Sequence, residues 1–150
     1  MTIEINCNFT VIIYTPLEPK HKLILIADDD RDDQELLEEA FHDVDSGVKA
    51  DKVWNGKEAL DYLEKCTTGN MPCAILLDYS MPLMNGAQVL AVICNDSRFQ
   101  SIPKFVWSTS DSKIHIRECM GNGAINYFVK PDSPGKLRDL AKEILASCDN

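Results

Sequence analysis

The sequence predicts an α/β fold: a doubly wound, three-layer sandwich of five β-α units around a parallel five-stranded sheet. Three observations carry that prediction. Short apolar runs recur along the chain, each followed by a segment with helical spacing of its apolar residues. The runs are continuously apolar rather than alternating, as strands buried on both faces are. Acidic, hydroxyl and lysine residues stand where these runs end.

LILIA at 23–27 is the first strand, and Leu36, Leu37, Ala40, Phe41 and Val44 then share one face of a helix. VKADKVW at 48–54 is a weaker second strand. Asn55-Gly56 opens a helix that turns Ala59, Leu60, Tyr62 and Leu63 inward. AILL at 74–77 is the third strand, followed by a helix bearing Val89, Leu90, Val92 and Ile93. KFVWS at 104–108 is the fourth, with a helix through Ile114 and Met120. INYFV at 125–129 is the fifth, before a last helix with Leu137, Leu140, Ala141, Ile144 and Leu145. Parallel strands joined by helices require right-handed crossovers, so the economical solution is a flavodoxin-like sandwich. Its functional site lies beyond the carboxyl ends of the strands, where the strand order reverses.

Length and charge bound the rest. One domain of ordinary size accounts for 150 residues, and 45% hydrophobic content is too high for a disordered chain. The net charge of −9, from 24 acidic against 15 basic residues, repels phosphate backbones and anionic lipid. Neither nucleic acid nor a membrane surface is therefore an expected partner. No apolar run approaches the ~18 residues of a membrane span, and the N-terminus lacks the basic leader of a secretory signal. Cys7, Cys66, Cys73, Cys94, Cys119 and Cys148 form no C-x-x-C pair and read as reduced core residues of a cytoplasmic protein. His21, His42 and His115 have no zinc-ligand spacing. Residues 1–22 read as an N-terminal arm ahead of a domain over 23–148, with a strand in NFTVIIY that Pro16 and Pro19 then break. Such a strand could pair with a sheet edge or with another subunit's arm. The chain is expected to carry no output domain after its last helix.

The strand ends hold the chemistry. Asp28-Asp29-Asp30 follow the first strand, Asp78 ends the third, Ser108-Thr109-Ser110 the fourth and Lys130-Pro131 the fifth. Asp30, Asp32 and Asp33 read as residues that cap the next helix and complement its dipole. Asp28 and Asp29 from one strand end and Asp78 from another instead converge, where adjacent carboxylates raise one another's pKa unless a cation neutralises them. Hard clustered oxygens suit Mg²⁺. A lysine beside that cation needs a bridging anion, and a phosphoryl group fits the slot.

These residues, with the strings ILIADDD, LLDYSMPLMNG, WSTSD and INYFVKP, make the chain from about Lys22 to Ser147 resemble the response regulator receiver domain of two-component signalling. The resemblance extends over about 85% of the sequence, and D-x-x-M-P-x-M-N-G is its most specific part. The intervals of 30 residues from Asp78 to Ser108 and 22 from Ser108 to Lys130 fit as well. DRDDQELL, NGKEALDYL and the T-S-D string give a weaker likeness to stand-alone receivers serving phytochrome-like kinases.

The resemblance implies that Asp78 is the phosphoacceptor and that Asp29 and, mainly through water, Asp28 bind Mg²⁺. It gives Ser80 a backbone carbonyl on the metal, Lys130 the phosphate, and Ser108 and Tyr127 the switch positions. It also implies a cis peptide before Pro131, and a loop after Asp78 shaped by Met81-Pro82 and Asn85-Gly86. Ser108 stands where threonine is more usual, which keeps the hydroxyl and loses a packing methyl. Trp107 is bulky for a buried strand and is divided between plain core and the signalling face.

The implied activity is that of a single-domain phosphoacceptor, not an enzyme on other substrates. It would take its phosphoryl group from a sensor histidine kinase or phosphotransfer protein and act by protein contact, with a homodimer left open. The alternative is a receiver-like protein-binding module that works without phosphorylation. A Mg²⁺-dependent phosphatase needs a carboxylate two residues after its nucleophile, where Ser80 stands. A nucleotide-binding domain needs a glycine pattern that GNGAIN at 121–126 lacks.

Overall fold

The structure, a computed structural model, describes residues 2–5, 9–12 and 21–149. Near the N-terminus, β1 (Thr2–Ile5) and β2 (Phe9–Ile12) pair antiparallel, with Thr2 opposite Ile12 and Ile5 opposite Phe9. The strand expected within NFTVIIY thus finds its partner in the preceding residues. Cys7, Pro16 and Pro19 lie outside the described residues.

The main body alternates strands and helices: β3 (Leu23–Ala27), α1 (Arg31–Val44), β4 (Lys49–Val53), α2 (Gly56–Glu64), β5 (Ala74–Asp78), α3 (Gly86–Ile93), β6 (Lys104–Ser108), α4 (Lys113–Gly121), β7 (Asn126–Val129) and α5 (Pro134–Ser147). The five strands β3 to β7 form one parallel sheet in the order β4-β3-β5-β6-β7. After β4 the chain crosses back past β3, so the order reverses between β3 and β5. A crevice at the carboxyl end follows from that reversal.

The continuous apolar runs are explained by the sheet's two covered faces. Ile24 and Ile26 point into a core with Leu37, Phe41, Phe105, Leu140 and Ile144, under α1 and α5. Leu25 and Ala27 point the other way, into a core with Ala59, Leu63, Val89, Leu90 and Val106 under α2, α3 and α4. The helices start on side-chain caps: Asp30 for α1, Asn55 for α2, Asn85 for α3 and Ser133 for α5. Asn85 and Gln88 form a reciprocal capping box, so Asn85-Gly86 begins α3.

Three expectations need correction, and the divided reading of Trp107 is resolved. Leu36 and Val92, each placed inward from the sequence, are 51% exposed. Each neighbours a buried residue, Leu37 or Ile93, and a step of ~100° along a helix separates inside from outside. Leu60 and Tyr62 are only half-buried, while Ala59 and Leu63 fill the core. Trp107 is core, 2% exposed. Cys73 and Cys148 are not reduced core residues but a disulfide, with Cα atoms 5.2 Å apart across 75 residues of sequence. It joins the end of α5 to the residue before β5. Closing a loop of that length constrains the unfolded chain by about 4 kcal/mol. Cys66, Cys94 and Cys119 are free thiols.

Candidate functional site

The parallel register sets the site. Ala27 lies opposite Leu77, so the residues just beyond them, Asp28 and Asp78, emerge side by side at the order reversal. Asp78 lies opposite Trp107, and Ser108 opposite Val129, which places Ser108 and Lys130 one strand and two strands away. Asp28, Asp29 and Asp78 each offer an oxygen, all within 4.8 Å of one another. Asp28 and Asp78 are buried and Asp29 is exposed. Lys130 reaches in from the end of β7, its Nζ 3.1 Å from Asp28 Oδ2 and 3.4 Å from Asp78 Oδ2.

Burial is the largest force on these carboxyls and pushes both upward. Asp78 is raised to about 7 by burial and by the charge of Asp28, with Lys130 and the Ser80 amide pulling the other way. Asp28 is raised by burial against the Asp30 amide and Lys130. Burial works against the Lys130 ammonium, yet a hydrogen bond from it to Asp33 and the charges of Asp78 and Asp28 hold its pKa above the ordinary lysine range. Two buried carboxylates sharing one ammonium are under-neutralised, and hard oxygens within 4.8 Å are a donor set that a divalent cation fits.

The loop after Asp78 is held close. The Ser80 amide donates to Asp78 Oδ1 at 3.3 Å and the Gly86 amide to Tyr79 O at 3.0 Å. A Cβ at Gly86 would lie 2.7 Å from the Asp78 carbonyl oxygen, so only glycine permits this approach. Between them Leu83 is 76% exposed with φ +66°, a left-handed conformation that costs a leucine ~1 kcal/mol.

Ser108 and Tyr127, the expected switch pair, meet through Ser110. Ser108 Oγ accepts from the Ser110 amide at 3.1 Å, and the half-buried Tyr127 hydroxyl donates to Ser110 O at 2.9 Å. Lys130 continues the β7 ladder, its amide donating to Ser108 O at 2.7 Å. The cis peptide expected before Pro131 is absent: every described peptide bond is trans. The residue before a proline favours extended backbone in either isomer, and here it leaves the ladder as a trans bond.

Three features at the site were not read from the sequence. Asp33 does not cap α1. Asp30 takes that role, accepting from the Asp32 and Asp33 amides, and the Asp33 carboxylate turns to Lys130 at 2.7 Å, its nearest partner. Gln34, buried, donates from Nε2 to Asp28 O and Val53 O, each at 2.8 Å, and ties α1 to two strand ends. Both residues fall at helical spacing from buried Leu37 and Phe41, and a polar residue on such a stripe must find partners. Tyr79 stacks on His115 at 4.0 Å and donates to Glu118 Oε2 at 3.1 Å, linking the Asp78 loop to α4. No sequence spacing announces that contact.

A doubly wound parallel sheet with carboxylates at its order reversal, a hydroxyl on the next strand and a lysine on the last defines a class of domain. The chain belongs to the response regulator receiver domain family, whose model matches residues 24–142. It is 32% identical over 124 residues to the probable methanogenesis regulatory protein FilR2 of Methanothrix harundinacea, a match over 81% of this chain and 80% of FilR2. It is 25% identical to the chemotaxis protein CheY1 of Helicobacter pylori over 79% of this chain and 95% of CheY1. Among solved structures, the phosphorylated cyanobacterial phytochrome response regulator RcpA superposes with a TM-score of 0.74 at 30% identity, over 83% of this chain and 91% of RcpA. Receiver domains are signalling modules that work with histidine kinases or phosphotransfer proteins, and they bind Mg²⁺ at an acidic pocket. No described helix is long and apolar enough to cross a membrane.

Proposed function

We propose that this protein is a Mg²⁺-dependent phosphoacceptor that takes a phosphoryl group from a histidine kinase or phosphotransfer protein onto Asp78, and that it signals or relays by protein contact. One observation carries the reading: a buried carboxylate, Asp78, stands 3.4 Å from the Lys130 ammonium and within 4.8 Å of two further acids. The likeness to RcpA, which is a phosphorylated response regulator, supports it.

Asp28, Asp29, Asp78 and the Ser80 carbonyl would hold the ion, which when bound supplies positive charge for the transferring phosphoryl oxygens. An Asp78 carboxylate oxygen attacks the phosphorus of a phosphohistidine. The new O–P bond forms as the P–N bond breaks, and the imidazole nitrogen leaves with the electron pair. Lys130 neutralises charge on the phosphoryl oxygens. Burial keeps Asp78 poorly solvated, so its charge is available to a cation and to phosphorus rather than to water. The dianion then offers Ser108 a new hydrogen bond, drawing its hydroxyl from the Ser110 amide. Tyr127, bonded to the same Ser110, is released with it, which changes the α4–β7 surface.

The test is intact-protein mass after incubation with acetyl phosphate and Mg²⁺. One phosphoryl adduct is expected on the wild type and none on Asp78→Asn or with EDTA. No adduct across donors and Mg²⁺ concentrations would overturn the reading and leave a protein-binding module that acts unphosphorylated.

A further inference from the structure

Lys130 has more carboxylate partners than the phosphoryl chemistry uses. Its Nζ lies 3.1 Å from Asp28, 3.4 Å from Asp78 and, closest, 2.7 Å from Asp33. Asp28 and Asp78 belong to the group of oxygens close enough to share one ion, and Asp33 does not. A divalent cation that takes Asp28 and Asp78 competes with Lys130 for them and repels it. The ammonium needs a site that the ion leaves alone. Asp33 occupies the first turn of α1, and the helix cap is already made by Asp30, so its carboxylate is not needed as the cap. The partly buried α1 edge fixes where that carboxylate sits, since Gln34 next to it is bonded to Asp28 O and Val53 O.

We infer that Asp33 is a positioning residue that anchors the Lys130 ammonium beside the metal carboxylates, keeping it off Asp28 and Asp78 when a divalent cation binds and within reach of Asp78 when a phosphoryl group arrives. The inference rests on the phosphoacceptor reading above. It gives α1 an electrostatic part in the site beyond carrying the chain away from β3. Neutralising Asp33 has one sign by two routes. Lys130 is left with Asp28 and Asp78 as its remaining carboxylate partners, from which the cation must displace it, and the site loses a negative charge.

The test is Mg²⁺ titration followed by tryptophan fluorescence in a Trp54→Phe background. Trp107 then reports alone, and its ring lies 4.7 Å from Lys130 Nζ. Asp33→Asn should raise the Mg²⁺ concentration at half-saturation about tenfold, and Asp33→Glu should restore most of it. Asp32→Asn removes the same charge one residue away, from a side chain without a bond to Lys130, and should shift the midpoint less than about twofold. In a Lys130→Met background the Asp33→Asn effect should shrink to the size of Asp32→Asn. Equal shifts from Asp33→Asn and Asp32→Asn, or tighter binding by Asp33→Asn, would overturn the anchor. A wild type with no Mg²⁺ response, while Trp107 still responds to unfolding, would instead overturn the phosphoacceptor reading beneath it.

Discussion

Two lysines are held at opposite ends of the same sheet, and their surroundings are opposite in kind. Lys104 begins β6 at the amino end, is 4% exposed, and donates to the carbonyl oxygens of Phe99 and Ile102 at 2.6 and 2.9 Å. Lys130 follows β7 at the carboxyl end and faces three carboxylates. Burial lowers the pKa of Lys104, because neutral carbonyls only partly replace water around its charge. The carboxylates overcome the same penalty for Lys130 and hold its pKa up. A lysine among carbonyls is a fixed clasp on the α3–β6 loop. A lysine among carboxylates is a counter-ion shared by three acids.

The widest separation between them should come from Lys130→Ala. Without the ammonium, phosphorylation by acetyl phosphate should fall about a thousandfold, or ~4 kcal/mol of transition-state stabilisation, with the fold intact. The phosphorylation rate by mass and the far-ultraviolet circular dichroism check the two halves of that statement. Lys104→Met should do the reverse. It leaves two loop carbonyls without their donor, so the free energy of unfolding should drop by about 1–2 kcal/mol while the phosphorylation rate stays put. A rate loss in Lys104→Met would mean that the two ends of the sheet are coupled.

A third effect concerns pH. In metal-free protein Asp78 keeps its proton to about pH 7, whereas the unfolded chain releases it near 3.8. Between those values the folded state binds more protons, so this group's contribution to stability falls as pH rises from about 4 to 7. Asp78→Asn, which cannot ionise, should therefore gain stability over the wild type as pH rises from about 4 to 7, with that gain gone near pH 4. A pair of chemical denaturation series at the two pH values, without divalent ions, measures it. A gain that stayed constant with pH would mean that Asp78 is not held protonated by its burial.

Most of the fold was legible because periodicity reports burial. LILIA and KFVWS are strands at the residues expected, and their unbroken hydrophobicity anticipated two covered faces. The strand-end acids and lysine were legible because a parallel sheet brings strand ends together whatever lies between them. What escaped was of two kinds. Local rules could not choose between near-identical neighbours: Asp30 and Asp33 both suit a helix start, and only the tertiary fold gives one the cap and the other Lys130. Contacts without periodicity could not be seen at all. Cys73 and Cys148 lie in segments with no spacing between them to read, and Tyr79 meets His115 only because α4 packs over the loop after β5.

The cross-link from Cys73 to Cys148 also sorts the residues topologically. It turns the stretch from β5 to the end of α5 into a covalent ring, with Asp78, Ser108 and Lys130 on its circumference. Asp28, Asp29 and Asp33 lie outside, on the tail that leads into it. One cut anywhere in the ring leaves a single molecule with Asp78, Ser108 and Lys130 still joined. A cut between α1 and β5 instead separates Asp28, Asp29 and Asp33 from Asp78, Ser108 and Lys130, so a protease would divide the acid cluster between two fragments.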